Sequence, residues 1–144
     1  SEVTFSKPQY SCHHQDHHQY TSMSFLCYFT DQDLRQLLVI KKVDISVAID
    51  KVFPFLYGLR DKQLITAEKF KEISKARKQI SKAMYSLLQW LEKSDSSTIR
   101  KFWLNLFQDY NLQTYPKLYP LQASLIEGML MKVPGWRHED LLLK

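Results

Sequence analysis

Glycine and cysteine are scarce in this sequence, and each shortage excludes a class of site. The chain has 3 Gly in 144 residues, none clustered, so it lacks the glycine-rich loop that brings backbone amides up to a phosphate. Its 2 Cys, Cys12 in a polar stretch and Cys27 in an apolar one, predict no disulfide framework. Metalloprotease, paired-cysteine and nucleophile-elbow motifs are also missing. We expect a protein that is not an enzyme, binds no cofactor and lies in a reducing compartment.

Long apolar runs are also missing. The longest uncharged one, Met23–Phe29, is too short to cross a bilayer, and no basic flank precedes it as in a secretory signal. We expect a soluble intracellular chain without a membrane partner and, because it opens with Ser1, a piece of a longer protein. Whether Met23–Phe29 docks against the domain or stays poorly ordered is left open by the sequence.

Hydrophobic residues make up 44% of the chain, and they recur at helical spacing. The stretch Asp44–Asp61 predicts a core-facing helix that bends or breaks at Phe53–Pro54, where proline removes a backbone donor. Its stripe consists of Ile45, Ala48, Ile49, Val52, Leu56 and Leu59.

Five further helices are predicted from the same periodicity and from capping residues. They run from Asp31, with Thr30 or Asp31 as cap, to about Lys42; over Ala67–Ala76; from Ile80 to about Lys93; from Ser96 or Ser97 to Tyr110; and over Lys117–Leu130. The expected fold is therefore an all-α, six-helix antiparallel bundle over residues 31–130. A flexible His-rich segment at 1–30 and a tail at 131–144 flank it.

Two short motifs carry a functional and a structural interpretation. Cys12 with the four histidines of residues 13–18 could bind zinc or copper, but adjacent ligands rarely complete a tetrahedron, so a solvated tail without metal is favoured. The LxxLL pattern of Leu34–Leu38 matches the motif that docks into the coactivator groove of nuclear receptors. Leucines at this spacing are equally what an amphipathic helix buries, and we favour that interpretation.

The net charge of +5 permits contact with nucleic acid or with an acidic protein surface. A basic cluster without interleaved aromatics favours a protein partner, although a nucleic-acid-binding helix at residues 67–78 remains the alternative from a different class. We predict self-association in which this cluster meets acids on other sides of the bundle. The candidates are the bases Lys69, Lys71, Lys75, Arg77, Lys78 and Lys82 and the acids Asp44, Asp50, Asp95 and Asp109.

The sequence resembles the homogeneously-staining region (HSR), or CARD-like, domain family of the autoimmune regulator and the speckled nuclear-body proteins. The first half carries the signature Ile45, Ala48, Phe53-Pro54, Leu56 and Leu59. The second half, with Phe102-Trp103, Phe107, Tyr110, Leu112 and Tyr115, is similar to the autoimmune regulator branch, while Tyr115-Pro116 is typical of the speckled branch. We assign these residues to the fold rather than to contact.

The resemblance implies a death-fold bundle that associates with copies of itself. It implies a parent protein that regulates transcription in the nucleus and gathers in nuclear bodies, with the cytoplasm left open as a second location. Implied partners are a second copy of the chain, other nuclear CARD or HSR proteins and transcription cofactors.

Overall fold

The computed structural model describes residues 24–132, and within that range the chain is helical, without a β-strand. A short 3₁₀-helix, η1, precedes seven α-helices. Their bounds are η1 Ser24–Tyr28, α1 Asp31–Ala48, α2 Phe55–Asp61, α3 Ala67–Ser74, α4 Ile80–Leu91, α5 Ser96–Leu106, α6 Asp109–Thr114 and α7 Leu118–Lys132. The all-α class is confirmed. The count of six helices is not, because Asp109–Thr114, predicted as a helix end and a turn, forms a helix of its own.

The first two helices begin and end at residues other than those predicted from the sequence. Leu34, Leu38, Ile45 and Ala48 are all buried, so one stripe continues past Lys42 and the helix extends to Ala48. The chain then turns extended at Ile49. Pro54 is consequently the N-cap of α2 rather than its middle, where its missing backbone N–H removes no hydrogen bond from the helix. The Phe53–Pro54 peptide is cis.

Helix α1 is the hub of the core and packs against α4 and α5. Trp103 of α5 is fully buried, and its indole nitrogen donates to the carbonyl oxygen of Leu34 at 3.0 Å. The Arg35 guanidinium donates to the carbonyl oxygens of Glu92 and Ser94 at 2.8 and 2.7 Å. These bonds satisfy two carbonyls in the turn that follows α4, and so tie α1 to the end of that helix.

Most of the residues assigned to the fold are in the core. Ile45, Ala48, Leu56, Leu59, Phe102, Trp103, Phe107, Leu112 and Tyr115 are all buried. Phe53 and Tyr110 are exceptions, with 64% and 39% of their surfaces exposed. Phe53 lies in the connector before α2, outside any stripe, and Tyr110 lies at the rim, where its hydroxyl donates to Asn105 Oδ1 at 3.1 Å. Phe53 and Tyr110 therefore lie outside the core.

The segment before α1 belongs to the core. Phe25, Leu26 and Phe29 are buried, and Arg100 of α5 donates to the carbonyl oxygens of Leu26 and Phe29 at 3.3 and 2.7 Å. Thr30 then caps α1 in a reciprocal capping box with Asp33. Of the two alternatives left open for Met23–Phe29, docking against the domain holds for residues 25–29, so the flexible segment predicted up to residue 30 extends too far. The His-rich tract and the tail lie outside the described residues.

Candidate interaction surfaces

The candidate sites on this molecule are surfaces. Within the described part of the chain, no three His, Cys, Asp or Glu side chains are grouped so as to hold a metal ion. No helix in the same range is long and apolar enough to cross a membrane. The proposed ligands Cys12 and the neighbouring histidines lie outside the range.

The first surface is apolar and lies on the outer side of α1. Val39, Ile40, Val43 and Val47 are 42%, 59%, 57% and 50% exposed. At about 100° per residue these positions share an arc of roughly 100°, and at about 1.5 Å per residue they extend over about 12 Å of the helix. We call these four residues the apolar face. Helix α1 therefore carries two apolar stripes, one buried in the core and one in contact with water.

The sequence carries a signal for the apolar face that the predicted helix boundaries hid. Once residues 34, 38 and 45 are assigned to the core, the helical period leaves residues 39, 40, 43 and 47 pointing the other way. The division of α1 at Lys42 concealed this pattern, because it separated Val39 and Ile40 from Val43 and Val47.

A groove of about 360 Å³ between α1 and α7 borders the apolar face. Lys41, Asp44 and Val47 line it from α1, and Lys117, Pro120, Leu121 and Ser124 line it from the other side. Lys41 donates a long hydrogen bond of 3.4 Å to Ser124 Oγ. Neither Lys41 nor Asp44 forms an ion pair with any residue of the described range. The groove thus carries a cation and an anion that form no ion pair within the described range.

The second surface is basic and lies where α3 meets α4. Five exposed side chains form no ion pair within the described range, and we call them the basic surface: Lys71, Lys75, Arg77, Lys78 and Lys82. Two grooves of about 590 and 430 Å³ lie against it and share Arg77, Lys78 and Lys82. Lys69 is engaged elsewhere, since its ammonium lies 3.3 Å from Glu72 Oε1 and 5.1 Å from the centre of the Trp90 ring.

The four predicted acids do not form one complementary surface. Asp50 lines the smaller basic groove beside Arg77 and Lys82, so it lies on the basic surface and not on another side. Asp95 caps α5 by accepting a hydrogen bond from the Thr98 amide at 2.8 Å, and that bond lowers the pKa of its carboxyl. Asp109 lies in the first turn of α6, and Asp44 beside the apolar face.

A third surface consists of aromatic side chains that pack mainly against one another and against Arg60. The rings of Phe53 and Tyr57 meet edge to face at 5.1 Å, and those of Tyr57 and Phe70 at 5.0 Å. The guanidinium of Arg60 lies 4.4 Å from the centre of the Phe70 ring. Stacking of a cation on these rings covers apolar area that would otherwise face water.

The LxxLL pattern is not available for docking in this fold. Leu34 and Leu38 are fully buried, and Leu37 packs against the core. The interpretation of these leucines as core residues is confirmed.

Comparison with known proteins gives a family for this chain. The family model of the HSR domain matches residues 30–128. The chain is similar to the human autoimmune regulator, at 37% identity over 107 residues, which cover 73% of this chain and 20% of that protein. It is also similar to the mouse Sp110 nuclear body protein, at 35% identity over 97 residues covering 65% of this chain and 21% of that protein.

A third relative is the mouse nuclear autoantigen Sp-100, at 33% identity over 87 residues covering 58% of this chain and 17% of that protein. The chain thus spans about a fifth of the length of these three relatives. No solved structure matches the chain at a significant level.

Proposed function

The chain belongs to the HSR domain family, and from that membership we propose that it is a homotypic self-association domain of a nuclear transcription regulator. Two of its relatives are named as a nuclear body protein and a nuclear autoantigen. The proposal gives the domain no catalytic role and no cofactor. The proposal also includes the fold type: we propose that the bundle is a death fold of the CARD type, which an experimental structure would test.

The observation that carries the proposal is the apolar face of α1. Soluble monomers seldom leave a row of large hydrophobic side chains on one helix face in water, because burying each would gain on the order of 1 kcal/mol. The side chains of Val39, Ile40, Val43 and Val47 are 42–59% exposed, although their helix is the hub of the core. A second copy of the domain is the partner that membership in this family favours.

Sedimentation velocity over a concentration series tests self-association directly. We expect the weight-average sedimentation coefficient to rise with concentration, and to stay high when salt is raised, because burial of apolar surface is not screened by ions. Loss of assembly at high salt would point to the charged surfaces instead. A single monomer boundary at every concentration, at both low and high salt, would contradict the proposal.

Localisation in the nucleus, in nuclear bodies, is the cellular part of the proposal. The test is a fluorescent fusion of the whole parent protein, with and without this domain. We expect nuclear foci that become diffuse when the domain is removed. A diffuse distribution of the intact fusion would contradict this part and leave the association of the isolated domain to be judged by sedimentation.

The basic surface supports a second candidate function, binding of nucleic acid. Its five cations, which form no ion pair among residues 24–132, could neutralise phosphates, and such contacts weaken steeply with salt. Titration with duplex DNA at about 50 mM and 200 mM salt tests this. Binding with a steep salt slope would support it, and absence of binding at the lower salt would contradict it.

A further inference from the structure

We propose that the groove between α3 and α4 binds an acidic segment of a partner protein, in which carboxylates flank an apolar side chain. The inference goes beyond self-association and does not depend on it. The groove has a volume of about 590 Å³ and combines an apolar floor with three cations. Together these two features select the chemistry of the partner.

The floor of the groove is apolar and made of small surfaces. Ile73 of α3 is 2% exposed, Ala76 and Ala83 are half-buried, and all three line the groove. On α4, Ala83 lies on the same side as Lys82 and Ser86, because at about 100° per residue the three share an arc of about 100°. Such a floor gains free energy when an apolar side chain of a ligand covers it.

Three cations line the same groove. Arg77 and Lys78 lie in the connector between α3 and α4, and Lys82 lies in the first turn of α4. All three are exposed, and none forms an ion pair or a side-chain hydrogen bond within the described range. Lys62, by contrast, donates to Asn105 Oδ1 at 2.8 Å. Carboxylates are the ligands that a group of free cations binds through charge-assisted hydrogen bonds.

The lining favours a protein segment over nucleic acid. Within the described range no aromatic side chain lines the groove, so a base would have no ring to stack on. Glu72 lines the α3 side, where its carboxylate, 3.3 Å from Lys69 Nζ, would repel a continuous row of phosphates. Gln79 and Ser86 supply donors and acceptors that can bond a peptide backbone.

A segment of a different protein also fits better than a second copy of this chain. The acids Asp44, Asp95 and Asp109 belong to three different helices or their caps, and the Asp95 carboxylate already caps α5. Contacts between copies at the basic surface would therefore pair cations with single acids and leave the apolar floor uncovered. An acidic segment with an apolar residue covers both parts at once.

Fluorescence anisotropy with two labelled peptides of equal charge tests the groove. One peptide repeats Asp-Glu-Leu and the other repeats Asp-Glu-Gly, so only the first carries apolar side chains. We expect the whole 144-residue chain to bind the leucine peptide roughly five- to tenfold more tightly than the glycine peptide, because leucine covers the floor. We also expect both affinities to fall as salt is raised, because the carboxylate contacts are screened.

Ser86→Glu adds a carboxylate to the groove at an exposed position of α4. Ser97→Glu, at an exposed position of α5 outside the groove, is the matched control with the same substitution. We expect the dissociation constant of the leucine peptide to rise roughly five- to tenfold for Ser86→Glu and at least as much for Lys82→Glu. Ser97→Glu should bind as the parent does, and circular dichroism melting of all three variants checks the fold.

Nuclear magnetic resonance of the backbone amides places the peptide. We expect the largest shift changes at Ile73, Ala76 and Ala83, and changes confined to another face would overturn the proposal. Absence of peptide binding at protein concentrations up to about 1 mM, or equal binding by the parent and Ser86→Glu, would also overturn it.

Two further results would assign the groove to another occupant and so overturn the proposal. The first is binding of duplex DNA, weakened by Ser86→Glu, without binding of either peptide. The second is a lower sedimentation coefficient for Ser86→Glu than for Ser97→Glu, again without peptide binding, which would indicate a second copy. A parent that binds the leucine peptide but stays monomeric would contradict self-association and leave this inference standing.

Discussion

The indole nitrogen of Trp103 donates a hydrogen bond of 3.0 Å to the carbonyl oxygen of Leu34, joining α5 to α1 inside the core. Both residues are fully buried. The ring also stacks on Phe107 at 5.9 Å and meets Phe102 edge to face at 5.5 Å. Trp103 therefore connects α1 to a cluster of buried aromatic rings.

Trp103→Ala should lower the free energy of unfolding by on the order of 3 kcal/mol, because it leaves a large cavity. Trp103→Phe keeps most of the ring volume and loses the hydrogen bond, so it should cost about 1 to 2 kcal/mol. Urea unfolding of the three proteins measures both values. Equal midpoints for the parent and the alanine variant would show that this core is not as described.

Leu56→Ala and Phe53→Ala form a matched pair three residues apart. Leu56 is fully buried, so its truncation should cost on the order of 3 kcal/mol. Phe53 is 64% exposed, so its truncation should cost less than about 1 kcal/mol. Thermal melts compare them directly, and a larger loss for Phe53→Ala would reverse the assignment of these two side chains.

The buried hydroxyl of Tyr115 leads us to predict that the domain loses stability at high pH. Its hydroxyl donates to the carbonyl oxygen of Lys51 at 2.8 Å and accepts from the Phe55 amide at 3.2 Å. Burial raises the pKa of Tyr115 to about 12, above the ordinary value of 10.0. Because the folded state holds this proton more tightly, the contribution is complete below about pH 10 and is lost as the pH rises through about 12.

Comparison with Tyr115→Phe isolates that contribution, since both proteins share every other titrating group. We expect the difference in unfolding free energy between parent and variant to be constant up to about pH 9.5 and to shrink between about pH 10 and 12. A constant difference across that window would contradict the raised pKa.

Gly58→Ala should destabilise the domain although alanine favours helices. A Cβ at residue 58 would lie 3.0 Å from the Tyr110 hydroxyl and 3.1 Å from Asn105 Oδ1. That crowding should offset the gain of about 1 kcal/mol in helix propensity. In a Tyr110→Phe background, which removes the hydroxyl and leaves only Asn105 Oδ1 within 3.4 Å, the same change should cost less, and unfolding by urea compares the two backgrounds.

Reversal of two charges tests the basic surface separately from the apolar face. Lys75→Glu with Lys78→Glu should dissociate assemblies at low salt and abolish any binding to DNA, while helicity stays unchanged. Sedimentation of the double variant measures the first effect. Unchanged sedimentation would remove the basic surface from the set of self-association contacts.

The sequence predicted the helical class, most of the core and the start of α1, because these depend on local periodicity and capping. It did not predict where α1 ends, since Lys41 and Lys42 resemble the last turn of a helix until Ile45 is seen to continue the stripe. It placed Asp50 on a different side of the bundle from the bases, whereas the connector after α1 brings it beside Arg77. Such placement depends on tertiary packing, which no local pattern encodes.

Sequence periodicity distinguishes apolar from polar faces of a helix. It does not distinguish an apolar face that is buried in the core from one that is exposed. Val43 and Ile45 are both apolar residues of one helix, yet one is 57% exposed and the other is fully buried. The two residues differ because α4 and α5 cover one side of α1, while the side with Val43 stays exposed in the described part of the chain.

The buried turn formed by residues 25–29 has a practical consequence for anyone preparing this protein. The family match begins at residue 30, so a recombinant fragment trimmed to that boundary would lose Phe25, Leu26 and Phe29 from its interior. Such a fragment would expose the apolar surface that these three residues cover. Its non-specific aggregation would then be mistaken for native assembly.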